Sequence, residues 1–222
     1  MSAPDDHRLG DTRTVQRLLQ AVQELSLARS LADIQRIVRA AARELTGCDG
    51  ATLVLKDGDM CHYVDEDAVA PLWKGGRFPL ETCISGWVMT NRQAVVIQNI
   101  YDDERIPHAA YRPTFVKSLA MVPIRKLNPV GAIGNYWAAE ILPTEHQISL
   151  LQSLADATSV AMENVQVYEQ LEQRVRDRTA DLERANDAIL HLSHTDDLTG
   201  VTNRRGFYLL AEPALRAARR DG

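Results

Sequence analysis

The sequence has few cysteines, no excess of positive charge and no long apolar run, and each absence argues against one class of protein. Its 3 cysteines lie far apart in a chain of 222 residues, so they do not indicate a disulfide framework. The net charge of −5 argues against a nucleic-acid-binding protein held by phosphate contacts. No apolar run is long enough to span a membrane, and the N-terminus does not resemble a signal peptide. We therefore expect a cytoplasmic protein that binds neither nucleic acid nor membrane.

Helical periodicity dominates the first part of the chain. Residues up to about Gly10 are small, polar and charged and are expected to be disordered, whereas apolar residues recur at helical spacing over 11–27. This first stripe also fits a heptad repeat, so it could join a dimer interface. Ser30 is expected to cap a second helix with Asp33 at the box position, and Gly47 is expected to end it.

Apolar segments and turn residues in the middle of the chain predict an α+β fold. Strands are expected at 51–55, 60–64, 94–98, 115–124 and 132–138, with a short helix at 82–91. Residues 65–81 and 99–114 are expected to be loops, and Asp65-Glu66-Asp67 is expected to be solvated. The last two strands are apolar on both faces, which predicts a central position. The sequence thus predicts one antiparallel sheet with helices on one face and a pocket on the other.

A long helix is predicted from Pro143 to about Leu192. Thr144 and Gln147 form a capping box at its start, and neither Gly nor Pro interrupts the heptads that follow. At 1.5 Å per residue the apolar seam is on the order of 55–60 Å long, and such a stripe in water needs a partner. We therefore predict a homodimer joined through a coiled coil. The predicted seam residues are Leu154, Ala157, Ala161, Asn164, Tyr168, Leu171, Val175, Arg178, Leu182, Ala185, Ile189 and Leu192.

Two seam positions, Asn164 and Arg178, are polar. Polar seam residues cost stability but can fix register and strand number, as in a static dimerisation stalk. They can equally leave the coil able to shift between registers, which suits a signal transmitter. The sequence leaves both interpretations open.

Several segments, in this order and spacing, resemble a GAF domain over residues 28–165. They are Gly86-Trp87-Val88, 94–97, 102–107, 118–124 and 131–134. The resemblance implies a sensory module with an antiparallel sheet and a pocket for a small molecule, whose identity is unknown. The residues predicted to line that pocket are Cys83, Trp87, Tyr101, Asp102, Arg105, Tyr111, Asn135 and Trp137.

The pocket prediction has two competing interpretations. The short helix could direct its N-terminal amides and Cys83 at an anionic ligand, with Arg105 adding a charge-assisted bond. Alternatively, Trp87 and Trp137 fill the core, Arg105 pairs with a nearby acid, and the domain is a dimerising spacer without a ligand. No cofactor is required by the sequence.

Cys61-His62 suggests a further alternative, because some GAF photoreceptors attach a bilin to a cysteine followed by histidine. The pair lies in an early strand, which favours a structural cysteine and a surface histidine. The cysteines and histidines of the domain lack metal-ligand spacing, and no catalytic constellation is recognisable.

The C-terminal segment Asp197-Leu198-Thr199-Gly200-Val201-Thr202-Asn203-Arg204-Arg205-Gly206-Phe207 resembles the opening of a GGDEF (diguanylate cyclase) domain. The resemblance implies a first helix over 208–220, bent at Pro213. The signature loop and the metal-binding aspartates do not occur before Gly222, so no catalytic residues and no cyclase activity are expected of this chain. The parent protein is expected to be a diguanylate cyclase that uses GTP and Mg²⁺.

These resemblances define the expected organisation. It comprises an N-terminal helix at 1–27, a sensory domain at 28–165, a coiled-coil linker at 143–193 and the start of a GGDEF domain at 194–222. A ligand with unequal affinity for two states of the sensor could then change the geometry of the cyclase dimer.

Overall fold

A computed structural model describes residues 4–194 and 200–218. The chain divides into two compact units, Met1–Gln166 and Val167–Gly222. None of the helices in the described part of the chain has the length and apolar character needed to cross a membrane.

Two helices precede the sheet, α1 (Pro4–Leu27) and α2 (Leu31–Thr46). The predicted cap of α2 is confirmed, because the Ser30 hydroxyl accepts a hydrogen bond of 3.1 Å from the backbone N–H of Asp33. Gly47 ends the helix with φ +66°, a left-handed conformation that glycine adopts without strain. Because α1 begins at Pro4, the prediction that disorder extends to Gly10 is wrong for residues 4–10.

Six strands form one antiparallel sheet in the order β3-β2-β1-β6-β5-β4. They are β1 (Gly50–Asp57), β2 (Met60–Ala68), β3 (Arg77–Pro79), β4 (Val95–Ile97), β5 (Ser118–Ile124) and β6 (Gly131–Trp137). β5 and β6 form the predicted hairpin, and every residue of both strands is buried, as their two apolar faces indicated. The short β3 was not predicted, because 65–81 was expected to be a loop.

Different elements cover the two faces of the sheet. The helix face packs against α1, α2 and the first part of α5 (Glu145–His194). The loop face packs against α3 (Ile84–Asn91), α4 (His108–Tyr111) and their connecting loops. Each face has its own cluster of buried side chains, which confirms the predicted layering.

The acidic run Asp65, Glu66 and Asp67 lies on β2 and not in a loop. The Asp65 carboxylate is buried and forms ion pairs with Arg39 at 3.1 Å and Lys74 at 2.6 Å. The prediction of a solvated cluster is therefore wrong for Asp65, since burying a carboxylate requires such partners.

The long helix α5 starts with the predicted capping box. The backbone N–H of Thr144 donates to Gln147 Oε1 at 2.9 Å, and the N–H of Gln147 donates to Thr144 Oγ1 at 3.2 Å. These reciprocal bonds satisfy two of the N–H groups that lack partners at a helix start.

The second unit contains α6 (Arg204–Ala218). The helix begins four residues before the predicted Tyr208, because the Asn203 side chain accepts a hydrogen bond of 2.9 Å from the N–H of Gly206 and caps it. Pro213 lies within α6. The first residues of the segment that resembles a GGDEF domain, Asp197, Leu198 and Thr199, lie outside the described residues.

Candidate functional site

An aromatic cluster occupies the centre of the loop face. Trp73 contacts Tyr111, Tyr136 and Tyr63, with ring centroids 4.6, 5.5 and 5.6 Å apart. Tyr63 in turn contacts Phe78 edge to face at 5.5 Å. Such tilted and edge-to-face pairs stabilise a packed arrangement beyond the area they bury.

A thiol–hydroxyl network lies beside this cluster. The Cys83 sulfur lies 3.2 Å from Ser85 Oγ and, while it is protonated, donates to the backbone carbonyl of Pro79 at 3.4 Å. Ser85 Oγ also lies 3.2 Å from Tyr63 Oη. Cys61 and Cys83, from different parts of the chain, both belong to the buried cluster of the loop face and influence each other's pKa.

The network separates the acidities of its two thiols. The hydrogen bond from Cys61 is the largest influence on Cys83 and lowers the pKa of the Cys83 thiol, to which Ser85 and the N–H groups of Ser85 and Gly86 also contribute. The bond to Cys83, together with burial, raises the pKa of Cys61 well above its ordinary value. Of the two thiols, Cys83 is therefore the more acidic.

Three tyrosines of the loop face remain protonated, because burial raises the pKa values of Tyr63, Tyr111 and Tyr136. The hydroxyls of Tyr63 and Tyr136 are hydrogen-bonded to Ser85 and Thr52. The buried Tyr111 hydroxyl has no partner among the described residues. A buried polar group without a partner costs free energy, so a ligand atom that bonded to the Tyr111 hydroxyl would offset that cost.

Four further predicted pocket residues, Trp87, Tyr101, Asp102 and Arg105, lie at the rim of the loop face. The Arg105 guanidinium stacks over the Trp87 ring at 4.5 Å from its centroid. Its Nε and Nη2 donate to the two carboxylate oxygens of Asp103 at 2.9 and 2.5 Å. This ion pair lowers the pKa of the Asp103 carboxyl. Arg105 thus pairs with a nearby acid of the same chain. The alternative interpretation of the sequence expected such a pair.

Tyr101 and Asp102 are both exposed. Lys117 Nζ lies 5.3 Å from the centroid of the Tyr101 ring. The centroid of the His108 ring, in α4, lies 5.7 Å from the same centroid. The rim therefore presents cationic and aromatic groups to solvent, outside the buried cluster.

Asn135 and Trp137 lie on the opposite side of the sheet from the other predicted pocket residues. Asn135 Nδ2 donates to the carbonyl of Ala42 at 2.9 Å and to Thr46 Oγ1 at 2.5 Å, both on α2. Trp137 is buried in the core beneath the same helices. The structure therefore corrects the prediction that these two residues share a pocket with Cys83 and Tyr111, because alternate residues of a strand point to opposite faces.

The first predicted seam residues are packed inside the domain itself. Leu154 is 0 % exposed and Ala161 is 3 % exposed, and Ala157 packs against the same helix-face core. Side chains already covered by their own chain cannot contact a second copy. The structure therefore contradicts the prediction that Leu154, Ala157 and Ala161 are seam residues.

The remaining predicted seam residues whose side chains are described are exposed. They are Asn164, Tyr168, Leu171, Val175, Arg178, Leu182, Ala185 and Ile189. The side chain of Leu192 lies outside the described residues. An apolar stripe that begins near Tyr168 is thus available on α5.

Two surface grooves lie away from the predicted pocket residues. One has a volume of about 640 Å³ and lies between the start of α5 and residues 92–94. The other, of about 490 Å³, lies along residues 66–71 beside Arg39 and Lys74. Neither groove is lined by a residue of the aromatic cluster. Among the residues described, no group of three or more Asp, Glu, His or Cys side chains has the arrangement of a metal site.

Sequence reasoning missed the residues that dominate the loop face. Tyr63, Trp73, Phe78 and Tyr136 make the ring contacts, and Ser85 links them to the thiols. The spacing of Cys61 and Tyr63 was an available signal, since residues two apart on a strand share one face.

Comparisons with known proteins agree with this architecture. The model of the GAF domain family matches residues 28–163. The GAF domain of a phosphoenolpyruvate-protein phosphotransferase from Acinetobacter superposes with a TM-score of 0.62 and 18 % identity, covering 71 % of this chain and 98 % of that one. A comparison with curated proteins gave no match.

Two other solved structures share the fold. Free methionine-R-sulfoxide reductase from Neisseria meningitidis, solved with its substrate, gives a TM-score of 0.62 at 17 % identity, covering 76 % of this chain and 96 % of that one. The chromophore-binding domain of a bacteriophytochrome from R. palustris gives a TM-score of 0.61 at 14 % identity, covering 72 % of this chain and 63 % of that one. The sheet order and the two covered faces agree with the family match over 28–163. The chain belongs to the GAF domain family of sensory modules.

Proposed function

We propose that this chain is a dimeric sensory module that regulates a C-terminal diguanylate cyclase through a coiled coil. The observation that carries the proposal is the exposed apolar stripe of α5. Leu171, Val175, Leu182 and Ile189 are 52, 58, 71 and 63 % exposed, and they are spaced by four, seven and seven residues, as in a heptad repeat. A helix with such a stripe is stabilised in water when a second helix covers it.

The occupant that fits this stripe best is a second copy of the same chain. Charged residues flank the stripe and form pairs within the helix, such as Glu172 with Arg176 at 3.7 Å and Asp181 with Arg184 at 2.6 Å. Arg178 lies within the stripe, where a polar residue can fix the register of two identical helices. These features support a parallel two-stranded coil.

The first helix supports the same assembly. α1 packs Ala21 and Leu25 into the helix-face core. Three other apolar residues of α1, Val15, Leu19 and Val22, are 43, 58 and 39 % exposed. A second apolar stripe on α1 would extend the dimer contact beyond α5, as in a helix bundle.

The proposed output rests on the resemblance of residues 197–207 to the opening of a GGDEF domain. Cyclases of that family join two GTP molecules held by facing subunits, and they require Mg²⁺ and act in the cytoplasm. The geometry of the dimer therefore controls the reaction. A signal that stabilises one of two states of the GAF domain would change cyclic di-GMP synthesis through the coil.

Sedimentation of two matched variants tests the dimer. Leu182 lies on the stripe, and Ala180 lies two residues away on the opposite side of the helix; both side chains are exposed. Leu182→Asp buries a charge in the proposed seam and should dissociate the dimer, whereas Ala180→Asp should sediment as the unchanged chain does. A monomeric unchanged chain at micromolar concentration would remove the proposal.

The output is tested in a longer protein in which a diguanylate cyclase catalytic domain continues from residue 222. With GTP and Mg²⁺, it should form cyclic di-GMP, and Leu182→Asp should lower the rate at least tenfold while Ala180→Asp leaves it unchanged. The 222-residue chain alone should form none. Equal rates for the two variants would contradict control through the coil.

A dimerisation module without a ligand is the second candidate, and the aromatic cluster favours it. The contacts of Trp73 with Tyr63, Tyr111 and Tyr136 occupy the centre of the loop face, where GAF domains hold ligands. Native mass spectrometry of freshly purified protein distinguishes the two candidates. A retained small molecule supports a ligand sensor, and an unladen mass supports the dimerisation module.

A chromophore-binding photosensor is the third candidate. Its support is the shared fold with a bacteriophytochrome and the position of Cys61 on the loop face. Bilin bound to the protein would absorb visible light, so the absorbance spectrum after co-expression with bilin synthesis decides this case. A colourless protein removes it.

A further inference from the structure

We propose that Cys83 and Cys61 form a dithiol that hydroperoxides convert into an intramolecular disulfide. Cys61 lies on β2 directly opposite Phe78 of β3. The Cys83 sulfur lies 3.4 Å from the carbonyl oxygen of Pro79, the residue that follows Phe78, and donates to it while it is protonated. The sulfur of Cys83 is therefore held against the strand pair that carries Cys61, and both thiols are buried in the same side-chain cluster.

The surroundings assign different roles to the two thiols. Cys83 is 7 % exposed and Cys61 is 0 % exposed, so a small oxidant entering from solvent meets Cys83 first. Ser85 Oγ lies 3.2 Å from the Cys83 sulfur, and a hydroxyl that donates to the sulfur stabilises negative charge on it. A thiolate is the nucleophilic form of cysteine, and such surroundings make it reactive. Cys61 remains protonated and is placed to react second.

The reaction is balanced without any group beyond the hydroperoxide. The Cys83 thiolate attacks the terminal peroxide oxygen, the O–O bond breaks, and an alkoxide leaves and takes up a proton as Cys83 becomes a sulfenic acid. The Cys61 thiol loses its proton, its sulfur attacks the Cys83 sulfur, the S–O bond breaks, and water leaves. The two thiols lose two electrons, and the hydroperoxide becomes an alcohol and water. A dithiol reductant reverses the change by exchange.

The disulfide would join β2 to the start of α3 beside the aromatic cluster. Ser85 is hydrogen-bonded to both Cys83 and Tyr63, so a change at the cysteines reaches the cluster through one side chain. The proposed input is an oxidant that acts on the domain itself. This inference does not depend on the coiled coil or on the cyclase.

Cys48 provides a matched control within the same domain. It is 4 % exposed, and its sulfur donates to the carbonyl of Gly50 at 3.1 Å. Burial raises the pKa of the Cys48 thiol, whereas the pKa of Cys83 is lowered. Cys48 lies in the helix-face core, away from the other two cysteines. A peroxide that acts by this mechanism should leave Cys48 reduced.

The test uses the full chain, fully reduced and then exposed to one to a few equivalents of hydrogen peroxide. After the peroxide is quenched and free thiols are alkylated, digestion without reductant and mass spectrometry should find one Cys61–Cys83 link, two hydrogens lighter than the reduced pair, and alkylated Cys48. Cys48→Ser should form the same link. Cys83→Ser should form none, and Cys61→Ser should accumulate a sulfenic acid on Cys83 that dimedone traps.

Two results would overturn the proposal. One is the absence of the link in wild-type chain at peroxide levels that oxidise Cys83. The other is oxidation of Cys48 at the same rate as Cys83, which would show that the thiols react through unfolding. If a Cys61 or Cys83 variant fails to fold by circular dichroism, the wild-type chain and Cys48→Ser still decide between these outcomes.

Discussion

The side-chain amide of Asn135 donates a hydrogen bond of 2.5 Å to the hydroxyl of Thr46 and joins the central strand β6 to α2. The same amide donates to the carbonyl of Ala42 at 2.9 Å, and the Thr46 hydroxyl donates to that carbonyl at 3.0 Å. The Asn135 amide nitrogen and the Thr46 hydroxyl thus have partners inside the helix-face core, whereas Asn135 Oδ1 has none among the described residues. The bonds that are made offset the cost of burying these polar groups.

We predict that Asn135→Ala lowers the free energy of unfolding by about 2 kcal/mol, because it removes two buried hydrogen bonds and leaves a small cavity. Asn91→Ala is the control, since Asn91 makes one bond of 2.9 Å to the carbonyl of Trp87 on an exposed surface. It should cost less than about 0.5 kcal/mol. Urea unfolding measures both variants, and equal losses would show that the buried contact contributes nothing.

Gly86→Ala should destabilise the domain by about 3 kcal/mol or more. A Cβ at Gly86 would lie 1.8 Å from the carbonyl oxygen of Leu80, so α3 would have to move away from the turn that precedes it. Thr90→Ala in the same helix is exposed and should change stability by less than about 0.5 kcal/mol. Thermal unfolding of the two variants compares them. An unchanged midpoint for Gly86→Ala would mean that α3 packs less closely than described.

Leu154 and Leu171 should separate folding from dimerisation. Leu154→Ala opens a cavity in the core of one chain and should cost about 3 kcal/mol while the chain still dimerises. Leu171 is 52 % exposed, so Leu171→Ala should weaken the dimer and leave the fold of each chain intact. Sedimentation at several concentrations and urea unfolding measure the two effects. Dissociation by Leu154→Ala without loss of stability would restore the earlier start of the seam.

Alkylation of Cys83 should depend on pH as expected for a thiol with a lowered pKa. Because that pKa is about 6, the reactive thiolate predominates at pH 7, and the rate should fall as the pH falls through 6. The titratable groups facing Cys83 are Cys61, Tyr63, Tyr111 and Tyr136, and all four remain protonated in this range.

Cys61→Ala tests whether Cys61 sets the pH dependence of Cys83 alkylation, as opposed to the exposure of Cys83 alone. The variant removes the hydrogen bond that lowers the pKa of Cys83, so the midpoint of the rate should move to higher pH. Cys48→Ala should leave the midpoint unchanged. Iodoacetamide labelling followed by mass spectrometry gives the rate at each cysteine, and an unchanged midpoint in Cys61→Ala would contradict the assigned cause.

The sequence predicted elements more reliably than it predicted the faces of the strands. The caps of α2 and α5 depend on residues close together in the chain, such as Ser30 with Asp33, and both are confirmed. In β6, by contrast, Asn135 and Tyr136 are both 0 % exposed, so burial does not reveal which of them points to the loop face. The prediction placed Asn135 in the pocket of the loop face, but the residue of β6 that lies on that face is its neighbour Tyr136. A shift of one residue moves every side chain of a strand to the other face.

Local signals in the amino-acid sequence determined the order of helices and strands, the central hairpin, the caps and the resemblance to the GAF family. Only the tertiary structure decided that Leu154 and Ala161 are covered within one chain, that Asn135 and Trp137 face the helices, and that Cys61 meets Cys83. The physical reason is range: hydrogen bonds and apolar spacing within a few residues fix an element, whereas the partners of a buried side chain come from segments that the sequence places far apart.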